Sequence, residues 1–208
     1  KTVTLCDPVD CDSLPSCLLT LSGVSAKDTP WAENGFETGF EQFVLKDYTP
    51  YVSKDGRVEL SENDRFAVIK AGNIAYTFDK PYGRISSITC GGKELLSAPV
   101  EPQIWRAPCY NRGSSEMWRL KNFRYAAQKT YYCLVCETDG GVCIKTKIAI
   151  GGPSCPPVIH ADVDYKFTPD GCVTLLFDGD VIEKCPILPK VGYRLFMPAE
   201  NESVSYFG

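Results

Sequence analysis

Ala161-Asp-Val-Asp-Tyr-Lys-Phe167 alternates apolar and polar residues without a break. Successive side chains of a strand point to opposite faces, so the run reads as a half-buried β-strand. Its neighbours are of the same kind. Residues 173–181 downstream, and 158–167, 142–150 and 131–137 upstream, are short β-branched and aromatic runs bounded by Gly, Pro, Asn and Asp. Further back lie Phe66-Ala-Val-Ile-Lys70, Asn73-Ile-Ala-Tyr-Thr-Phe78 and residues 85–90. The punctuation between them is turn chemistry. Ala71-Gly72 suits a tight turn, and Lys80-Pro-Tyr-Gly83 has Pro and Gly where a type I turn prefers them. Gly91-Gly92, Gly140-Gly141 and Gly151-Gly152 read as hairpin turns. Helical i, i+3, i+4 spacing is scarce over any ten residues. The chain is therefore expected to be all-β and largely antiparallel.

Its 208 residues are enough for one large or two modest domains, and such a chain buries roughly 70% of its unfolded surface without a special staple. Hydrophobic residues at 44% and charged residues at 23% are ordinary globular values. A formal charge of −4 argues against nucleic-acid and anionic-membrane partners, since either favours a basic face. No apolar run reaches the roughly 18 residues of a transmembrane helix. Lys1-Thr-Val-Thr-Leu-Cys6 lacks the layout of a signal peptide and reads as a strand entered partway, as in a trimmed or processed chain.

Eleven cysteines cannot all pair internally, because the number is odd. Free thiols in a reducing, cytoplasmic compartment are the expectation. A zinc site from Cys133-Leu-Val-Cys136 and Cys143 is the competing reading. Residues three apart on a strand face opposite sides, and no fourth ligand is evident. No metal is assigned.

A boundary is expected near 46–62, where Lys46-Asp-Tyr-Thr-Pro50 and Ser53-Lys-Asp-Gly56 are polar and turn-rich. Residues 2–5, 16–21 and 40–45 read as strands of a small sandwich. That part is short for an immunoglobulin-like domain of about 100 residues, so it is expected to be the tail of one. The organisation expected is a sandwich tail at 1–46, a linker at 47–62 and a second β domain at 63–208.

Several runs, in order, resemble the β-galactosidases of glycoside hydrolase family 2. Lys27-Asp-Thr-Pro-Trp-Ala32, Gly35 and Glu41-Gln-Phe43 resemble the end of the immunoglobulin-like sandwich after the catalytic barrel, with Phe36 where the family commonly has His. Residues 73–83, Gly92-Lys-Glu-Leu-Leu96 and Gln103-Ile-Trp-Arg-Ala-Pro108 resemble the start of the small-chain domain. Leu188-Pro-Lys-Val-Gly192, Arg194-Leu-Phe196 and Ser205-Tyr-Phe-Gly208 resemble its middle. The resemblance implies part of a galactose-mutarotase-like antiparallel super-sandwich. After Pro108 the family continues with a Thr-Asp-Asn-Asp-like stretch. Here Cys109-Tyr-Asn-Arg-Gly113 stands instead, with Asn111 matching.

The resemblance also implies a role. Retaining glycosidases need two carboxyl groups about 5–5.5 Å apart, and the family carries both glutamates in its barrel, whose motifs do not occur here. This chain is accordingly expected to be a non-catalytic C-terminal portion of a β-galactosidase. Its expected partners are the parent's remaining domains and further copies in a homo-oligomer, with galactoside met only in the complete enzyme. No cofactor is assigned to this chain; the parent's magnesium and sodium would be held by barrel residues. Trp105 and Arg106, in the family motif, are candidates for a domain junction. Asn111, Trp118 and Arg119, in the stretch that follows, are candidates for a pocket wall.

Two rival functions stand beside this one. An autonomous carbohydrate-binding or interaction module would use exposed Trp and Tyr rings as sugar platforms. A mutarotase-like epimerase would need His160, the only histidine, in a cleft with a carboxylate such as Asp162 or Asp164. The local carboxylate pairs Glu59/Glu62 and Asp162/Asp164 read as solvated strand faces. No Gly-x-Ser-x-Gly nucleophile elbow or phosphate-cradling loop occurs.

Overall fold

The computed structural model describes residues 16–47, 56–108, 112–185 and 187–200. They belong to two compact units: Lys1–Val52 with Ser205–Gly208, and Ser53–Val204. The expected strand at 2–5 and the motif at 205–208 lie outside the described residues.

The described residues of the first unit form an antiparallel hairpin, β1 (Cys17–Val24) with β2 (Glu37–Lys46). Its connecting loop is held locally: Asp28 Oδ1 accepts from the Asn34 amide at 2.8 Å, and Thr29 bridges to Ala32. Trp31 meets Phe36 edge-on, with centroids 5.7 Å apart. Two strands cannot bury both their faces. Leu21, Val24, Phe40, Phe43, Val44 and Leu45 are all exposed within this unit.

The second unit is a sandwich. One sheet has five antiparallel strands in chain order: β3 (Val58–Glu62), β4 (Phe66–Ala71), β5 (Ile74–Asp79), β6 (Arg84–Cys90) and β7 (Lys93–Glu94). β8 (Ala98–Gln103) lies beside β6 and pairs with the last strand, β13 (Gly192–Phe196). Between them come α1 (Arg112–Leu120), a 3₁₀ turn at Phe123–Tyr125, and a meander of β9 (Ala127–Thr138), β10 (Gly141–Gly151), β11 (Ile159–Phe167) and β12 (Val173–Val181). The all-β expectation is met.

Alternation in the sequence becomes inside and outside in the sandwich. Ala161, Val163, Tyr165 and Phe167 of β11 are buried, with His160, Asp162 and Lys166 exposed between them. Ala67, Ile69, Tyr76 and Phe78 face them from the five-stranded sheet. The two sheets meet ring to ring, Tyr76 with Phe167 at 5.0 Å and Phe78 with Tyr165 at 4.9 Å. Such pairs add specificity to apolar burial. Tyr hydroxyls tie the layers together at carbonyls: Tyr76 donates to Gly171 at 2.5 Å and Tyr165 to Gly83 at 3.2 Å.

Turns follow their residues, with three corrections. Gly91-Gly92 closes β6 to β7 with φ of +57° and +82°, the signature of a primed hairpin turn that a side chain would resist. Gly151-Gly152, expected as a hairpin turn, ends β10 before a longer connection to β11. Gly152 is small there because a Cβ would overlap the Lys121 carbonyl. The expected linker at 47–62 is shortened, since its last five residues form β3, whose Val58 and Leu60 pack against the core. A five-residue alternation was too short to stand out from the turn-rich stretch before it. Finally, α1 was not anticipated, because its nine residues, with Trp118 the one buried side chain among those described, are too few to establish an apolar i, i+3, i+4 pattern over ten residues. Among the described residues no helix is long and apolar enough to cross a membrane.

Candidate functional site

Two residues past the end of α1, the left-handed conformation of Asn122 (φ 54°) turns the chain into the 3₁₀ turn. Asn and Gly tolerate that conformation at helix ends. The Asn122 side chain anchors the turn by donating to the Pro153 carbonyl at 3.2 Å. This geometry aims one helix residue inward: Trp118 is 2% exposed, and its Nε1 donates to the Ile187 carbonyl at 2.7 Å. Arg119, next in the chain, is exposed.

Trp105 leaves β8 half-buried and packs against the core. The Arg124 guanidinium sits 5.5 Å from the Trp105 ring centroid and 5.8 Å from that of Tyr125, which is 64% exposed. Cations over aromatic faces are attracted by the ring quadrupole. Together Trp105, Trp118, Arg119, Asn122, Arg124 and Tyr125 line a cavity of about 350 Å³. Three of the five sequence candidates, Trp105, Trp118 and Arg119, are therefore brought together. Arg106 is exposed just beyond Trp105, and Asn111 lies outside the described residues. Arg124 and Tyr125 escaped sequence reading, because neither belongs to the motif and only the 3₁₀ turn carries them to Trp105.

The motif segments converge as well. β13 pairs with β8 so that Gly192 stands opposite Gln103 and Arg194 opposite Glu101. Glu101 binds Arg84 and Arg194 through separate oxygens, each at 3.1 Å. Stretches some 90 residues apart in the chain thus form one two-stranded sheet beside Trp105.

His160, Asp162 and Asp164 fall on the outer face of the β9–β12 sheet. His160 stands directly opposite Asp180, and Asp162 opposite Asp178. With Lys147 and Tyr131 they line an open groove of about 390 Å³. Asp162 and Asp164 hold Lys147 and Lys145 at 3.3 and 3.7 Å, the arrangement of a solvated strand face. Glu62 pairs with Lys80 at 3.8 Å, and Glu59 is exposed.

Among the described residues, Cys133, Cys136 and Cys143 do not assemble into a metal-ligand set. Cys133 packs against the core, and burial pushes its thiol up to about 11. Cys136 stands opposite Cys143 on the neighbouring strand, and burial raises the Cys143 thiol too. High pKa values oppose the thiolate that zinc needs. Among the described residues no group of three or more His, Cys, Asp or Glu side chains could hold a metal ion.

With this arrangement in view, the relatives can be placed. A family model described as the β-galactosidase small chain matches residues 70–208. The chain is similar to a β-galactosidase of Actinobacillus pleuropneumoniae, 28% identical over 176 residues, which cover 82% of this chain and 18% of that protein. It is also similar to β-galactosidases of Priestia megaterium, 28% identical over 197 residues (92% and 19%), and of Klebsiella pneumoniae, 28% over 208 residues (91% and 20%). The chain spans about a fifth of the length of these relatives. The match begins within β4 and takes in every later strand of the sandwich, and on that ground the chain belongs to the β-galactosidase small-chain family.

Proposed function

We propose that this chain is the architectural C-terminal portion of a β-galactosidase that hydrolyses terminal β-D-galactosides with retention. The observation that carries the proposal is the family match over 70–208, in a chain similar along most of its length to one fifth of proteins named β-galactosidase. In this reading the catalytic glutamates lie in the barrel and the chain is inactive alone. The small-chain sandwich buttresses the barrel. Its Trp105 cavity, with Arg106, Asn111 and Arg119 around it, supplies a domain junction and one wall of the galactoside pocket.

The exposed apolar residues of β1 and β2 support the rest of the proposal: the hairpin completes an immunoglobulin-like sandwich whose other strands lie elsewhere in the parent. Surfaces of the two units also contribute contacts between copies in a homo-oligomer. The parent's magnesium and sodium bind barrel residues. The free thiols of Cys90, Cys133, Cys136, Cys143, Cys155 and Cys172 are in keeping with a cytoplasmic, reducing setting.

The test is hydrolysis of a chromogenic β-galactoside by the purified, folded chain, beside a mock purification. No turnover is expected. Turnover above the control would place a working carboxylate pair in this chain and overturn the proposal.

A further inference from the structure

β9 and β10 form a hairpin about the Asp139-Gly140 turn, and its register sets Cys136 directly opposite Cys143. No other cysteine of the described strands stands opposite a cysteine: Cys17 faces Lys46, Cys90 faces Ile74 and Lys93, and Cys133 faces Thr146. Directly opposed residues of an antiparallel pair project to the same side of the sheet. That side is the outer one here. Val135, Val142 and Ile144 turn into the core, so alternation carries Cys136 and Cys143 away from it. Cys133 packs against the core on the other side.

The spacing suits a disulfide. Opposed Cα atoms of an antiparallel ladder lie ~4.5 Å apart in one kind of pair and ~5.5 Å apart in the other. Both values fall within the ~4.4–6.8 Å that disulfides span. The electrostatics agree. Burial is the main cause raising the Cys143 thiol, Asp164 adds to it, and Lys145 and Lys166 oppose it. Cys136 contributes as well, which places its sulfur within electrostatic reach of Cys143. Both thiols are free, Cys136 half-buried and Cys143 only 6% exposed. That difference orders the chemistry: an oxidant from solvent meets Cys136 first, and Cys136 presents it to Cys143.

We propose that Cys136 and Cys143 are a redox-modification site, closed into a cross-strand disulfide by a low-molecular-weight disulfide such as glutathione disulfide. The Cys136 thiolate attacks one sulfur of glutathione disulfide, whose S–S bond breaks and releases a glutathione thiolate. The Cys143 thiolate then attacks Cys136 Sγ in the mixed disulfide, and a second glutathione thiolate leaves. The two protons shed by the cysteines end on the two glutathione thiolates. The protein's thiols lose two electrons, and glutathione disulfide is reduced to two thiols. The bridge ties β9 to β10 beside their turn, and a dithiol reductant reopens it. It stands on the outer face of the sandwich and does not depend on the proposed activity of the parent.

The test incubates the purified, reduced and folded full chain with glutathione disulfide, then alkylates it and cleaves after Glu137, so that the two cysteines fall on separate peptides. Mass spectrometry is expected to find a linked Cys136–Cys143 species, two hydrogens lighter than the reduced peptides together. It should exceed every other cysteine pairing by about tenfold or more, because the register holds these two sulfurs together. Dithiothreitol is expected to remove it, and Cys136→Ser to abolish it. Should that variant fail to fold, the unmodified chain decides alone. No oxidation at either thiol, Cys136 halted as the mixed disulfide, or a bridge from either cysteine to a third in comparable yield would each overturn the proposal.

Discussion

Trp118 shows how a single residue is committed. Its indole is buried to 2% exposure, and its only polar atom is matched at the Ile187 carbonyl, so it anchors α1 to the sandwich while Arg119 stays in solvent. Trp118→Ala should destabilise the unit by ~3–5 kcal/mol through lost burial and the cavity left behind. Trp118→Phe should cost roughly 1–3 kcal/mol, through the smaller ring and the lost hydrogen bond to the Ile187 carbonyl. Urea midpoints separate the two. Cys133 gives a pH signature. Burial raises its thiol from 9.0 to about 11, with Lys80 lowering and Glu62 raising it by less. The folded state then holds the proton more tightly than the unfolded chain. The unfolded thiol ionises first, so stability is fully present below about pH 9 and falls as pH rises toward 11. Urea midpoints between pH 7 and 10.5 should decline less steeply in Cys133→Val than in the natural chain.

The turn at Lys80–Gly83 carries more than its length implies. Gly83 has φ of +60°, and a Cβ there would lie 2.5 Å from Thr130 Oγ1 and 2.9 Å from Gln128 Nε2. Gly83→Ala combines a disfavoured conformation with a contact against two polar side chains. A loss of ~1–3 kcal/mol is expected, with amide shifts spreading to Thr130 and Gln128, and a stability change below ~0.5 kcal/mol would mean that the turn relaxes freely. Strands such as β11 were legible because burial on one face imposes a period of two. The turn's sequence announced its bend at Pro81 and Gly83. That the bend would press on β9 depended on which strand lay beneath it. β9 also holds a bulge: Lys147 pairs with Tyr132 and Ile148 with Thr130, leaving Tyr131 as the extra residue. No sequence signal in Tyr131-Tyr132 marks that insertion.

For the molecule as a whole, the two units differ in how far they satisfy themselves. The sandwich has a continuous core running from Ala67 to Phe167. The hairpin has none, and its Phe40, Phe43, Val44 and Leu45 are exposed. Exposed apolar ribbons with open edges are sites of association. In isolation the chain should form dimers or larger species at micromolar concentration, measured by light scattering. Phe40→Lys with Phe43→Lys should shift it toward monomer without altering the melting of the sandwich. A clean monomer of the unmodified chain would show that the hairpin is covered within one copy.

The sequence by itself determined the all-β class, the position of most strands and the family. Alternation, turn residues and ordered motifs are local properties, and burial on one face stamps them directly on the chain. The tertiary structure alone decided what those strands bring together. Arg124 reaches Trp105 through a 3₁₀ turn, Arg194 reaches Glu101 across a sheet closed by a late strand, and Gln128 reaches the carbonyls of Tyr82 and Gly83. Each pairing joins segments distant in sequence. Register and layer packing set such contacts, and neither leaves a period or motif in the residues themselves.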